Sequence, residues 1–579
     1  MQLFKNINSN KKTELIDPLN YSTFRIPIAY LKDKINIKKE FADDLELLEG
    51  KNPLYQKFLN TNDEFSKLLL KQHAKWFTNN KQYILDTQKI LSNEIPEIVS
   101  HNDIMTVKNN FKNEEDLTDK YNYFEWDKIK FLNKNSQIMQ AYSLYNISSP
   151  VFSLCLPIFL LILPFFLIKL QGYPLTWSQY STYLQIVLRN HSLGQIFNIK
   201  SASWDKRVMI MISFIFYLLQ VYFNFMSCIK FIKNMTNIHY TIFTVKDFLY
   251  NSIQSMNKLS NNWNKYSTYQ PFINKNNLIC QKAQSIYLQL NKISNLKLSF
   301  NKVVDIGQAM RAFYMINIDE EWKTVIDYCI YYNVYIKNLT SIKSEIKKNI
   351  YFCKFSKTTR FKDIYYPHIN NKNAIKNSVR LNKNIIITGP NAAGKTTMLK
   401  SIIINVLLSQ QFGCGYYKSA YINLYDVLSS YINIPDTSAR DSLFQAEARR
   451  CKEILDEIQK NKSKKHLCIF DELYSGTNPY EAISAATGYL KYLDKNKNVT
   501  FILTTHYLDL CKILEDESNV KNLQMQVDVN DKDFIYTYKI IDGISKIKGG
   551  IKVLNDLKYP DEILDECNKL LKDSINTFI

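Results

Sequence analysis

Gly389-Pro390-Asn391-Ala392-Ala393-Gly394-Lys395-Thr396 is the stretch on which the reading of this chain turns. It follows the β-branched run 385–388 and precedes the helical run 397–412, so a strand feeds a glycine-bounded loop that opens a helix. In that setting backbone N–H groups converge on phosphate oxygens at a helix amino terminus, which carries about half a positive charge. The pattern predicts a nucleoside triphosphate site formed by Gly389, Pro390, Asn391, Ala392, Ala393, Gly394, Lys395, Thr396 and Thr397. Lys395 is expected to reach the β- and γ-phosphates and Thr396 to ligate magnesium, so ATP and Mg2+ are the expected cofactors.

Downstream, Leu467-Cys468-Ile469-Phe470-Asp471-Glu472 is an apolar strand ending in two carboxylates. Asp471 at the strand end suits a magnesium ion held through water, and Glu472 beside it suits orienting or deprotonating an attacking water. Such an acidic pair is common in solvated loops; its place after the phosphate loop supplies the other half of one metal site. A third strand, 499–505, ends at His506, at the same sheet edge, where contact with the γ-phosphate or the attacking water is expected. The catalytic candidates are therefore Glu472, His506 and Lys395, and the metal candidates Thr396 and Asp471. From about residue 372, short β-branched runs (385–388, 467–470, 499–503) alternate with helices. That alternation predicts an α/β domain on a parallel sheet, with ligands at the strand carboxyl ends.

Thr388-Gly389-Pro390-Asn391, Gly394-Lys395-Thr396-Thr397, Asp471-Glu472-Leu473 with Gly476-Thr477, and Thr505-His506-Tyr507 together resemble the MutS family in order and spacing. Asp441-Ser442-Leu443-Phe444-Gln445-Ala446-Glu447 is similar to that family's signature loop, and 534–550 to its closing strand and Gly-rich turn. The resemblance covers roughly residues 360–570. It implies a P-loop NTPase related to ABC ATPases, working as a homodimer with DNA as a partner. It also implies that Ser442 acts in trans on the γ-phosphate of the opposite subunit, with residues 475–478 at the same interface. Read from the sequence alone, Ser442 is equally an N-cap for the amphipathic run 447–458. Tyr366-Pro367-His368 is similar to the family segment near the adenine.

Two departures bear on function. Ala392-Ala393 stands where the family usually carries Met-Gly, which keeps both residues small. The Phe-x-Glu wedge of the mismatch-reading domain has no counterpart, since Phe124 and Glu125 are adjacent. Without an aromatic to stack into a kinked base step, mismatched-DNA binding loses its physical basis. The resemblance thus points to a MutS-like ATPase coupling ATP to DNA in repair or recombination, rather than to a mismatch sensor.

Further out, two uncharged stretches, 151–168 and 208–229, the second bracketed by Arg207 and Lys230, are long enough to cross a hydrocarbon layer of about 30 Å. They predict a transmembrane hairpin with both termini and the ATPase domain facing the cytosol, against the alternative of two buried core helices. Pro157 and Pro164 are tolerated in membrane spans. Lys and Arg in the connecting loop 169–206 run against that orientation. The expected organisation is a helical region 1–134, the hairpin region 135–239, a helical bundle 240–358, and the ATPase domain 359–579.

The 579 residues exceed one core, and 46% hydrophobic content excludes a mostly disordered chain. A net charge of +20, from 74 basic and 54 acidic residues, favours polyanionic partners such as nucleic acid or anionic lipid. Ten scattered cysteines contain no C-x-x-C pair, which excludes a zinc ribbon or dithiol motif and suits a reducing compartment. No cleavable signal peptide is expected, because the first residues lead into the polar run 5–13. Other readings of the same features are a membrane ATPase acting on a non-DNA partner, an ABC-type transport ATPase, and a soluble DNA-binding repair factor. A transport ATPase would show a Leu-Ser-Gly-Gly-Gln segment, which this chain lacks.

Overall fold

The computed structural model describes residues 24–61, 64–100, 102–109, 120–121, 123–172, 174, 176–190, 199, 203–294, 305–432, 434, 442–515, 517, 519–530, 533–547, 554–555 and 557–577. Of the expected features, Asp441 of the signature loop, Gly549-Gly550 of the Gly-rich turn and about a third of the loop 169–206 lie outside these residues. The chain divides into two compact units that cut across its linear order: Met1–Ile98 with Ser255–Leu278 and Ile330–Ile579, and Val99–Gln254 with Ile279–Cys329.

In the first unit the strands are β1 (Lys34–Asn36), β2 (Trp76–Thr78), β3 (Tyr351–Phe355), β4 (Thr359–Ile364), β5 (Asn377–Leu381), β6 (Asn384–Thr388), β7 (Cys414–Gly415), β8 (Ser419–Ile422), β9 (Val427–Tyr431), β10 (His466–Asp471), β11 (Val499–Thr505), β12 (Val520–Asn530) and β13 (Asp533–Asp542). The main sheet has the order β13-β12-β6-β11-β10-β9. β9, β10, β11, β6 and β12 pair in parallel, and β13 turns back antiparallel on β12 at the edge. The sheet is therefore mixed, where the alternation of strands and helices predicts a parallel one. The edge hairpin arises because β12 and β13 follow one another with no helix between them to cross over.

Covered on both faces, the central strands read as continuous apolar runs instead of alternating ones: every residue of β6 is buried. The helices Leu443–Lys460 and Pro479–Asp494 close one face through Cys451, Ile454, Ala486 and Leu490 against Cys468, Phe470 and Leu503. The helix Lys395–Phe412 is buried along most of its length, with contacts to β2, β7, β10 and β11. A second, mixed five-stranded sheet, β5-β4-β8-β3-β7, has no counterpart in the sequence reading.

Residues 24–98 belong to this same unit. Gln411, buried near the end of Lys395–Phe412, donates to the His73 and Trp76 carbonyls at 2.7 Å each and accepts from the Tyr55 hydroxyl at 2.7 Å. Gln410 donates to Thr78 O at 3.0 Å, and Gln88 donates to Gly413 O at 2.7 Å. Asp44 accepts from Ser430 Oγ at 2.6 Å and faces Arg450 at 3.7 Å; burial pushes its carboxyl up against both partners. Gln411→Ala strips partners from two buried carbonyls and one buried hydroxyl. Each such orphan costs about 1–3 kcal/mol, so a loss of about 3 kcal/mol or more is expected, read as a lowered denaturation midpoint.

The second unit is helical. Ser136–Leu170 and the long helix Trp204–Trp263 lie side by side and antiparallel. Cys228 Sγ approaches Ile147 O at 3.6 Å, Tyr217 donates to Ser153 O at 3.5 Å, and Asn224 donates to Ser153 Oγ. Away from this polar seam, Val151, Phe159, Leu163, Phe166, Phe216, Leu219 and Phe223 are exposed. Past Ile232 the same long helix changes character: Met235, Ile238, Ile242, Val245 and Leu249 form a buried stripe at helical spacing. Among the described residues one helix, Trp204–Trp263, is long and apolar enough to cross a membrane, and 6% of its most apolar window is buried.

Candidate functional site

The site lies at the carboxyl ends of β6, β10 and β11, where the register aligns Asp471 with Thr504 and Thr388 with Thr505. The chain leaves β6 at Gly389 and bends through Ala392 (φ 64°) and Gly394 (φ 94°), which opens Lys395–Phe412. A side chain at Gly394 is disfavoured twice over: by the left-handed φ, and by Tyr538 Cδ1, which stands 3.1 Å from where its Cβ would be.

Lys395 is buried, its side chain 6% exposed, and folds back over the loop. Its Nζ donates to Gly389 O at 2.9 Å and Pro390 O at 3.3 Å, lies 3.5 Å from Asn391 Oδ1, and faces Glu472 Oε1 at 3.5 Å. Thr396 Oγ1 donates to Asp471 Oδ2 at 2.8 Å, while Thr504 Oγ1 donates to the other oxygen of the same carboxylate. Glu472 Oε1 also lies 3.7 Å from His506 Nδ1. The His506 side chain beside it holds the Glu472 carboxyl below its ordinary range; partial burial opposes this and the Lys395 ammonium reinforces it.

Lys395, Thr396, Asp471, Glu472 and His506 thus form one connected cluster. A cavity of about 650 Å³ opens above the loop, bounded by Asn391, Thr397, Asp471, Glu472, Tyr366 and Tyr538 among others. That is the size of a small-molecule site. Tyr366 reaches this cavity, whereas Pro367 and His368 line a neighbouring one of about 580 Å³. Ser442 caps Leu443–Lys460 in a capping box: its Oγ accepts from Gln445 N at 3.3 Å, and Gln445 Oε1 accepts from Ser442 N at 3.0 Å. No contact between Ser442 and the phosphate-loop cluster is present within the described residues of the single chain.

Three side chains here carry no role in the sequence reading. Thr504 shares the Asp471 carboxylate, Tyr538 walls the cavity from β13, and Glu447 is buried beneath the loop that follows Glu472. A tyrosine in an alternating edge strand or a glutamate inside an amphipathic helix gives no local signal of such a place.

The Thr396 hydroxyl and the Asp471 carboxylate fit a magnesium ion. Thr396 and Asp471 are hard oxygen donors 2.8 Å apart at the foot of the loop 389–394. Mg2+ takes few protein ligands and completes its shell with water and substrate phosphate. Among the described residues no cluster of three or more His, Cys, Asp or Glu forms an alternative metal site.

Residues 385–574 match MutS domain V. The DNA mismatch repair protein MutS of Caldicellulosiruptor saccharolyticus is 30% identical over 299 residues, covering 51% of this chain and 32% of that protein. The proteins of the same name from Aquifex pyrophilus and Caldicellulosiruptor bescii are 31% and 34% identical over 206 and 212 residues; each match covers 35% of this chain and 24% of the relative. The shared part is thus about a third or less of these relatives' length. The matched residues 385–574 enclose every residue of the cluster.

Proposed function

We propose, from the match of residues 385–574 to MutS domain V, that the carboxyl-terminal part of this chain is a MutS-like ATPase domain that binds ATP with Mg2+, hydrolyses it in a dimer, and couples the cycle to DNA. One observation carries the reading: a buried lysine, a Thr–Asp oxygen pair and a Glu–His pair converge around one cavity at the end of a parallel sheet. Thr396 and Asp471 would hold Mg2+, which neutralises charge on the phosphates when bound. Lys395 leaves its loop carbonyls and Glu472 for the β- and γ-phosphates. Glu472, so released, orients the attacking water and takes its proton, while His506 fixes the carboxylate from the other side. The Ser442 cap and its proposed trans contact are compatible, because the cap uses the hydroxyl as an acceptor and leaves its proton for an incoming phosphate.

The test is the ATPase rate of detergent-purified protein with no DNA and with plain, branched or mismatched duplexes. Stimulation by DNA that weakens steeply with salt supports the coupling. Turnover indifferent to every DNA keeps the enzyme and replaces DNA by a protein or lipid partner. ATP-driven uptake into vesicles would favour the transport reading.

The charge state of Glu472 gives a pH prediction. Its carboxyl is depressed, so the ionised form persists at and above the ordinary carboxylate range and is lost only as pH falls through the lowered value. His506→Ala removes the largest cause of the depression. The acid limb of the pH–rate profile should therefore move to higher pH, with a lower plateau; an unmoved limb would detach His506 from Glu472.

The exposed apolar side chains on Ser136–Leu170 and Trp204–Trp263 favour a membrane tether. The two apolar belts, about residues 144–170 and 208–232, run side by side, and each reaches about 35–40 Å at 1.5 Å per residue, enough for the hydrocarbon layer. The hairpin leaves the ATPase domain facing the cytosol. Sodium carbonate should leave the protein in the membrane pellet and detergent should release it; release by carbonate alone would sink the tether.

A further inference from the structure

The turn that carries Glu472 is built from residues in a conformation that L side chains rarely adopt: Glu472 has φ 51° and Tyr474 φ 57°. Such a turn persists only when its surroundings hold it at both ends. One end is sheet: Glu472 N donates to Thr504 O at 3.0 Å. The other is a single buried carboxylate. Glu447, 2% exposed, accepts through Oε1 from Ser475 N at 3.1 Å and Ser475 Oγ at 3.0 Å, and through Oε2 from Gly476 N at 3.1 Å. The turn lies so close to the start of Leu443–Lys460 that a Cβ on Gly476 would stand 2.7 Å from Leu443 Cγ and 2.9 Å from Phe444 N. The Phe444 and Tyr474 rings meet at 5.7 Å.

We propose that Glu447 is the positioning residue for Glu472, an inference that rests on the ATPase reading of the site. Its carboxylate offers acceptors to three donors at once, two of them backbone N–H groups of the turn itself. It ties the strained turn to the helix capped by Ser442, so a displacement of that helix start is passed to Glu472 through Glu447. Glu447 itself neither touches the phosphate loop nor moves a proton.

Glu447→Gln keeps the shape but replaces one acceptor oxygen by an NH2 group, which sets a donor against a donor. The expected result is a fall in kcat of about 10- to 100-fold, the size of effect a displacement of about 1 Å produces, with KM and nucleotide affinity within about twofold of wild type. Amide hydrogen exchange at residues 474–476 should accelerate in the same variant. A folded Glu447→Gln protein with wild-type kcat, or with unchanged exchange at 474–476, overturns the proposal. Should Glu447→Gln fail to fold, Ser475→Ala, which removes one of the three bonds, and Gly476→Ala, which drives the turn off the helix, replace it. They should lower kcat in that order, and equal turnover in both overturns the inference. The exchange measurement does not depend on turnover. An inactive wild type would therefore remove the ATPase reading, and the exchange in Glu447→Gln would still decide whether Glu447 holds the turn.

Discussion

Glu472→Gln lowers ATP turnover about a hundred- to ten-thousand-fold and leaves ATP bound, the range expected when a positioned general base is lost. The substitution keeps the side chain's length and volume, so the turn and its bond to Thr504 O survive. What disappears is the negative charge shared between His506 at 3.7 Å and Lys395 at 3.5 Å. That loss has a second consequence. In the ligand-free chain Glu472 competes with the phosphates for the Lys395 ammonium, and a neutral amide competes less. Nucleotide affinity should therefore equal or exceed that of wild type, read from the binding of a fluorescent ATP analogue alongside phosphate release. Turnover near the wild-type rate would mean that another group activates the water. Weakened binding would mean that Glu472 supports the loop instead of restraining its lysine.

The strand-loop-helix at 385–412 was legible because its signals are local: a β-branched run, two glycines at fixed spacing, and a lysine where the helix opens. Asp471, Glu472 and His506 were legible for the same reason, each following an apolar run that had to be a buried strand. Contacts between distant segments left no such trace. Gln411 reads as one more polar residue in a helix, yet it is buried against the His73 and Trp76 carbonyls more than 300 positions away. The closing strand β13 was legible by resemblance, but its antiparallel direction was not, because an alternating run gives its period and not the direction of its neighbour. Positive φ at Glu472 and Tyr474 is invisible where no glycine or asparagine marks it. Glu447 closes the stretch similar to the signature loop, but nothing local assigns its carboxylate to the Ser475-Gly476 turn. In 151–168 and 208–229 the apolar length was plain, but the seam through Ser153, Tyr217 and Asn224 shows only when the helices are set side by side.

Lys395→Ala should weaken ATP binding on the order of 100-fold, because it removes charge-assisted hydrogen bonds to two phosphates worth together about 3 kcal/mol. The ammonium is already desolvated and already held by Gly389 O, Pro390 O and Glu472, so binding exchanges one set of acceptors for another and needs little reordering. That preorganisation separates this lysine from a surface lysine of equal charge, whose loss costs a few tenths of a kcal/mol. Lys395→Met, which keeps the packed alkyl chain, should bind as weakly as Lys395→Ala; a large difference between them would assign the effect to a collapsed loop. Combining Lys395→Ala with Glu472→Gln gives the sharper result. The two side chains face each other at 3.5 Å, and part of what Glu472→Gln does to affinity passes through the lysine. Any gain in affinity from Glu472→Gln should therefore vanish once Lys395 is gone, and strictly additive binding energies would show that the pair does not exchange partners when nucleotide enters.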